Sequence, residues 1–206
     1  AITPSTATDI KFEKQMTQKG DRLSPRTNNS VNSTYALSLP AIDGNLTDLD
    51  VIDIESYSFS LVLRENQTGN INRTLEGALF CQNNATHLYI AIKLYNETYT
   101  TRPEGFDQLL VLFGEDLTNE LDYGDEVILW DTETESIQDG FIGAQWQITI
   151  DGEEEAVGIG RHTQNNTGLQ GTYLWEFIVP FHTAEGNTRD LNIKAGDLIG
   201  LQLVFW

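Results

Sequence analysis

The chain has 206 residues, of which 39% are hydrophobic and 10% aromatic, so it is long and apolar enough to bury one good core. Its formal net charge is −19 with only 12 Lys and Arg, which argues against nucleic acid as a partner, because phosphate binding needs a basic surface. The sequence contains no run of about 18 apolar residues, so we expect no membrane span. We interpret the acidic surface as a solvated, self-repelling one.

Residues 1–34 differ in composition from the rest of the chain. They are rich in Thr, Ser and Asn and carry too few apolar side chains to form a core of their own. In an extended strand, alternate residues share one face, and here that face would carry Thr6, Thr8, Ile10 and Phe12. We therefore predict an extended N-terminal tail over 1–34 and a β-sandwich domain over 35–206. The sequence opens on Ala1, as expected for a chain whose leader has been removed or for a shortened chain.

After the tail, short apolar runs alternate with turn residues about every ten positions. The sequence shows no amphipathic helix and no internal repeat, so the pattern predicts an all-β, immunoglobulin-like sandwich. The pair Asp151-Gly152 indicates a hairpin between the two runs that flank it. The predicted strands cover 35–39, 57–63, 75–81, 87–94, 108–113, 126–130, 141–150, 156–160, 173–181 and 198–206.

The chain is rich in Asn-x-Ser/Thr sequons. With 15 Asn and 31 Ser or Thr, about two sequons are expected by chance. The excess indicates an extracellular glycoprotein, and we predict that every sequon lies in a turn or in the tail, where a glycan would not disturb a core. The alternative is that Asn-Thr pairs recur because they make good turns. The eight sequons begin at Asn28, Asn32, Asn45, Asn66, Asn72, Asn84, Asn96 and Asn165.

The sequence offers no catalytic constellation. The one cysteine, Cys81, excludes an intramolecular disulfide, and its apolar surroundings predict a buried structural thiol. His87, His162 and His182 lack metal-like spacing, and no nucleophile elbow, P-loop or zinc-protease motif is present. We therefore predict no enzyme activity and no cofactor apart from N-linked glycans.

An acidic loop over 115–126 is a weak candidate for binding Ca²⁺, which prefers six to eight oxygen ligands. The loop lacks the regular spacing of a calcium-binding loop, so a solvated hairpin tip is the favoured alternative. Its candidate ligands are Asp116, Asp122 and Asp125.

Four tryptophans raise the question of a sugar-stacking platform. Each lies in a predicted strand, where core packing is the commoner role of a large aromatic side chain. Core packing is therefore the favoured interpretation of Trp130, Trp146, Trp175 and Trp206.

Short segments in five parts of the chain from residue 42 onward carry a family resemblance: Ile42-Asp43-Gly44; His87–Leu94 followed by Asn96-Glu97-Thr98; Asp107–Phe113 with Gly124-Asp125; Trp175–Phe181; and Gly200–Phe205. Together they resemble the family 9 carbohydrate-binding modules and the related DOMON-like β-sandwiches over 41–206. The aromatic residue that usually follows the Ile-Asp-Gly start is absent here. The resemblance implies an immunoglobulin-like sandwich and, as an alternative function, a secreted carbohydrate- or calcium-binding module.

A second resemblance rests on architecture. A sequon-dense, nearly cysteine-free β-sandwich that carries a long polar N-terminal extension is similar to the subunit of archaeal thread filaments. That resemblance implies an extracellular surface appendage whose partners are identical subunits. It also implies head-to-tail assembly, in which the N-terminal strand of one subunit enters the sandwich of the next.

This mode of assembly has a clear physical basis. A sheet that lacks a strand exposes unpaired N–H and C=O groups beside an apolar groove, and a strand from a neighbour would pair them. Because donor and groove are different surfaces, the contact need not close and can grow a filament. We predict the donor strand at Thr6–Glu13 and a glycosylated linker at Gly20–Thr34. The alternatives are a disordered tail or a tail that folds back onto its own sheet.

Overall fold

The computed structural model has only β-strands, turns and irregular segments in the part of the chain it describes, which confirms the predicted all-β class. Among these residues, no helix is long and apolar enough to cross a membrane. The described residues are 8–12, 29–45, 56–64, 71–98, 101–102, 105–114, 126–132, 135–143, 147–150, 156–164, 170–181, 193, 197 and 199–205.

Most of the strands coincide with the predicted apolar runs, and several extend beyond them. In chain order they are β1 (Thr8–Phe12), β2 (Asn29–Tyr35), β3 (Ser56–Arg64), β4 (Ile71–Asn83), β5 (His87–Thr98), β6 (Thr101–Arg102), β7 (Gly105–Phe106), β8 (Gln108–Gly114), β9 (Glu126–Asp131), β10 (Ile137–Ile142), β11 (Ile148–Ile150), β12 (Val157–Gln164), β13 (Gln170–Pro180) and β14 (Ile199–Phe205).

The strands form the two layers of a β-sandwich. Sheet A has the order β11-β10-β9-β8-β14-β1, and sheet B has the order β4-β5-β13-β12, with β3 paired along the outer edge of β4. Strand β2 pairs with β1 on one side and with β4 on the other, so it joins the β1 edge of sheet A to β4 of sheet B. The remaining pair, β6 and β7, forms a separate two-stranded ladder.

The core lies between the two sheets and follows the period-2 alternation of the strands. In β5 the even-numbered positions from Leu88 to Leu94 are buried, and in β14 the odd-numbered positions from Ile199 to Phe205 are buried. Side chains from both sheets belong to one contiguous cluster. The largest fully buried side chains are Trp130, Trp175, Tyr89, Tyr173, Phe113, Phe177 and Phe205.

Strand β8 is buried on both of its faces. Leu109, Val111 and Phe113 belong to the main core, whereas Leu110 and Leu112 belong to a second apolar cluster on the other face of sheet A. A continuous apolar run, rather than alternation, is the pattern expected of a strand covered on both sides.

The predicted first strand at 35–39 is wrong, because β2 ends at Tyr35. The alternating residues there do not form one buried face, since Leu37 is 94% exposed. Leu39 instead packs beside Tyr89 and Ala91 on the outer face of sheet B. The segment then turns at Gly44, whose φ of 73° is readily adopted only by glycine.

The predicted hairpin at Asp151-Gly152 is also wrong. The predicted strand 141–150 is divided between the end of β10 and the separate β11, which pairs with β10 in sheet A. Strand β12 pairs with β13 in sheet B. The chain therefore passes from one sheet to the other between β11 and β12, and a local turn signal does not distinguish this crossing from a hairpin.

Replacing the fully buried Leu79 with alanine is expected to lower the free energy of unfolding by about 2 to 5 kcal/mol, because it leaves a cavity between the sheets. Leu37→Ala makes the same chemical change at a position that is 94% exposed, and it should alter stability by less than about 0.5 kcal/mol. Urea unfolding of the two variants measures the difference. Equal losses would contradict the assignment of the core.

Candidate assembly site and polar cavity

Strand β1 is an internal strand, because it has a paired neighbour on each side. It pairs in parallel with β14, where Ile10 is opposite Ile199 and Phe12 is opposite Leu201. On its other side it pairs antiparallel with β2, from Thr8 opposite Ser33 to Phe12 opposite Asn29. We call the space between β14 and β2, which β1 fills, the strand slot.

One wall of the strand slot is part of the sandwich core. Ile199 and Leu201, the partners of positions 10 and 12, are buried to 2% and 1% exposure. Strand β14 pairs with β8 along its opposite edge, from Gly200 opposite Gly114 to Phe205 opposite Leu109. Without a strand in the slot, β14 would therefore be an edge strand that borders the core.

The other wall, β2, is attached to sheet B mainly at its C-terminal end. Its rungs to β4 are Thr34 with Gln82 and Tyr35 with Asn83. The Ser33 hydroxyl donates to Asn83 Oδ1 at 2.9 Å, and the N–H of Ala36 donates to the Asn83 carbonyl at 2.7 Å. Asn83 is thus the residue that anchors β2.

The connection between β1 and β2 is long for a hairpin. Phe12 and Asn29 are ladder partners, so sixteen residues, 13–28, link two positions that lie side by side. Antiparallel strands that pair in this way are usually joined by about two to five residues. Fully extended, sixteen residues reach about 50 Å, which exceeds what closing this hairpin requires.

The predicted donor strand therefore falls partly within β1. Thr8, Ile10 and Phe12 lie in the strand slot of their own chain, which is the predicted alternative of a tail folded back onto its own sheet. Thr6 lies outside the described residues. The end of the predicted linker, from Asn29 to Thr34, belongs to β2. The role of the tail as a donor and the division of the chain at residue 34 remain predictions.

Aromatic side chains join the two sheets at the other side of the sandwich. Tyr173 and Trp175 of β13 stack with their ring planes 7° apart and their centroids at 4.8 Å. Trp130 of β9 meets the edge of Trp175 at 5.6 Å, and Phe205 of β14 lies 5.8 Å from Trp175. Trp130 and Trp175 are essentially inaccessible, so these two pack in the core. Trp146 and Trp206 lie outside the described residues.

An open polar cavity of about 530 Å³ lies beside this cluster. Gly160 brings the backbone of β12 close to Trp130, since a Cβ there would lie 2.4 Å from the Trp130 ring. The Trp130 indole nitrogen at this edge is buried and has no hydrogen-bond partner. Glu135 has a φ of 49°, which is unusual for a residue other than glycine. The cavity is lined by Trp130, Glu135, Gly160, Arg161, His162, Thr163 and Gln164.

Two buried carboxylates, Asp107 and Glu176, accept hydrogen bonds from distant parts of the chain, and no sequence pattern above predicts their role. Asp107 accepts a hydrogen bond from the Tyr173 hydroxyl. Glu176 is fully buried and accepts from the Tyr89 hydroxyl and from the N–H of Gly44, both at 2.6 Å. A single charged residue within an apolar strand is a signal that could have identified Glu176.

Of the other candidate residues, the structure describes only His87 and His162. Asp116, Asp122, Asp125 and His182 lie outside the described residues, and the described part of the chain has no group of three or more potential metal ligands. His87 Nδ1 lies 2.7 Å from the Thr86 hydroxyl, and His162 Nε2 lies 3.0 Å from the Glu97 carbonyl.

The thiol of Cys81 is buried, as predicted for a structural cysteine. Burial raises the pKa of this thiol far above its usual range, because the thiolate would lose its hydration. A thiol held in its protonated form is a poor nucleophile.

The sequons divide into three groups. Asn45 and Asn84 lie in turns as predicted, and Asn84 Oδ1 accepts from the backbone N–H groups of Thr86 and His87 at 2.8 Å. The prediction is wrong for Asn72 and Asn96, which lie in β4 and β5. Of the rest, Asn32 lies in β2, and Asn28, Asn66 and Asn165 lie outside the described residues.

No protein-family model and no curated protein matches the chain. Two similar solved structures are both of a family 9 carbohydrate-binding module from Caldicellulosiruptor kristjanssonii. The cellotriose complex is 14% identical, with 83% of this chain and 74% of that chain covered and a TM-score of 0.44. The glucose complex is 14% identical, with 73% and 68% covered and a TM-score of 0.40. Likenesses at this level assign neither a family nor a ligand to this chain.

Proposed function

We propose that this protein is the structural subunit of an extracellular, glycosylated filament, in which β1 of one copy fills the strand slot of the next. The observation that supports this proposal is the combination of an internal strand, β1, with a sixteen-residue connection to β2. That connection is long enough to let β1 leave its own slot and reach a neighbouring one. The excess of sequons supports the extracellular location and the N-linked glycans.

Exchange of β1 between copies conserves its backbone hydrogen bonds. Within one chain, β1 pairs with β14 and β2, and the same strand from another copy would make the same rungs. The two arrangements therefore differ mainly in the strain of the connection and in the entropy of association. An isolated subunit would protect its slot with its own β1, and a growing filament would replace that strand with a neighbour's.

Exchange in this manner leads to a filament rather than a dimer when each copy donates to one neighbour and accepts from another. The donor surface is β1 and the acceptor surface is the edge of β14 and β2, so the contact is heterologous. Such a contact repeats without closing unless its rotation happens to form a ring. The partners are then identical subunits.

A variant that lacks residues 1–16 is expected to form no filaments by negative-stain electron microscopy, while the full chain forms them. Its melting temperature should fall because β14 and β2 lose their shared neighbour, and a peptide of residues 1–16 should restore it. Burial of Ile10 and Phe12 contributes about 1.5 to 3 kcal/mol each if it is complete.

Matched substitutions test whether assembly depends on the apolar positions of β1 or only on the presence of the strand. The double variant Ile10→Asp/Phe12→Asp should prevent assembly, whereas Asp9→Ala/Lys11→Ala changes the alternate positions of the same strand and should preserve it. Filaments formed by the truncated chain, or equal loss of assembly in both double variants, would contradict the proposal.

A secreted carbohydrate-binding module is the second candidate, and the polar cavity beside Trp130 favours it. The cavity is large enough for one or two sugar rings, and its walls carry charged, amide and hydroxyl groups. The buried indole nitrogen of Trp130 lacks a partner, and a hydroxyl oxygen is one group that could accept its hydrogen bond. Because both described tryptophans are buried, recognition would depend on polar contacts instead of on stacking.

Glucose and cellotriose are suitable probes for this candidate. If the cavity binds sugar, titration of the full chain should change Trp fluorescence, and Gln164→Ala should weaken binding by about tenfold or more through the loss of hydrogen bonds. Ser58→Ala, an exposed change on β3 outside every sequon and away from the cavity lining, is the control. An unchanged fluorescence signal and no heat in calorimetry at millimolar sugar would eliminate this candidate.

A further inference from the structure

The two sequons that lie inside paired strands of sheet B share a feature that the sequence does not reveal. Between β3 and β4, Leu63 pairs with Arg73 and the next residue, Arg64, pairs with Ile71. Asn72 is therefore an extra residue on β4 with no partner on β3. A one-residue insertion of this kind is a β-bulge.

Asn96 occupies the same kind of position on β5. Gly171 of β13 pairs with Glu97, and the next residue, Thr172, pairs with Tyr95. Asn96 is thus skipped by the ladder. These are the two register shifts in the described ladders, and each falls on the Asn of a sequon.

The two bulges lie at the same end of sheet B. Strands β4 and β5 pair from Asn83 opposite Leu88 to Gly77 opposite Leu94. Asn72 lies beyond Gly77 on β4, and Asn96 lies beyond Leu94 on β5, so both follow the last rung between these strands.

The strand alternation explains why a bulge is needed at position 96. Ile90, Ile92 and Leu94 are buried in the core, and position 96 continues their spacing of two. In a regular strand it would therefore belong to the core face, where a glycan could not be accommodated. An extra residue interrupts the alternation and changes the direction of the strand, which is a known use of bulges.

We propose that Asn72 and Asn96, the extra residues of the two β-bulges of sheet B, are a pair of N-glycosylation sites. Each sequon is complete, with Thr74 and Thr98 as the hydroxyl residues. This proposal rests on the extracellular, N-glycosylated state in the proposed function, but it concerns the single subunit and does not depend on filament assembly.

The co-reactant is an oligosaccharide carried on a lipid phosphate. The side-chain amide nitrogen Nδ2 forms a bond to C1 of the sugar, and the bond from C1 to the phosphate oxygen breaks. The lipid phosphate leaves with that electron pair, and Nδ2 loses one proton to solvent. No group is oxidised or reduced.

Glycopeptide mass spectrometry of the full chain, purified from the cells that produce it, tests the assignment. We expect a glycan on both Asn72 and Asn96. Thr74→Ala and Thr98→Ala should each remove one glycan mass, whereas Thr74→Ser and Thr98→Ser should retain it, because Ser also completes a sequon. Absence of a glycan from either asparagine in the unaltered chain overturns the proposal.

A relocated sequon tests the role of the bulge itself. Thr74→Asn/Glu76→Thr moves the sequon two residues along β4, to an exposed position that pairs regularly with Val62. We expect its occupancy to be at least tenfold lower than that of Asn72 in Thr74→Ser, or the modified protein to melt at a lower temperature. Equal occupancy with an unchanged melting temperature would show that exposure alone suffices, and would overturn the role of the bulge.

Discussion

The pairing of β14, β1 and β2 is the constraint on which the rest of this structure depends. Strand β14 supplies four buried side chains to the core and is held by β8 along one edge only. Along its other edge, β1 pairs with the first three residues of β14, Ile199 to Leu201, and joins sheet A to β2, so the backbone N–H and C=O groups of this part of the edge have partners. Residues 8–12, which the composition assigns to a polar tail, therefore form a paired strand of the sandwich.

The same constraint connects the fold with the proposed function. A strand that is held by backbone pairing, and is joined to the domain by a long connection, can be exchanged for an identical strand without loss of hydrogen bonds. Anchoring of β2 through Asn83 keeps the far wall of the slot in place near sheet B.

Much of the fold could be predicted from period-2 alternation, because strands such as β3, where Tyr57 and Phe59 pack against the core and Ser58 is exposed, follow that pattern directly. The alternation near Tyr35 was misleading, because Leu37 faces solvent. The turn signal at Asp151-Gly152 does not indicate which sheet the next strand joins. Likewise, spacing indicates which face of β1 is apolar, but it cannot identify the neighbouring strands. Bulges and buried carboxylates such as Glu176 depend on partners distant in sequence.

Cysteine crosslinking across the strand slot tests the central claim most directly. Ile10 and Val31 are partners between β1 and β2, so Ile10→Cys and Val31→Cys can be made in separate chains and mixed under oxidising conditions. The native Cys81 is buried and should not interfere. If β1 exchanges between copies, a covalent dimer that contains one chain of each variant forms. If β1 remains in its own chain, the mixture stays monomeric while the double variant Ile10→Cys/Val31→Cys forms an internal disulfide, and that result would contradict assembly by strand exchange.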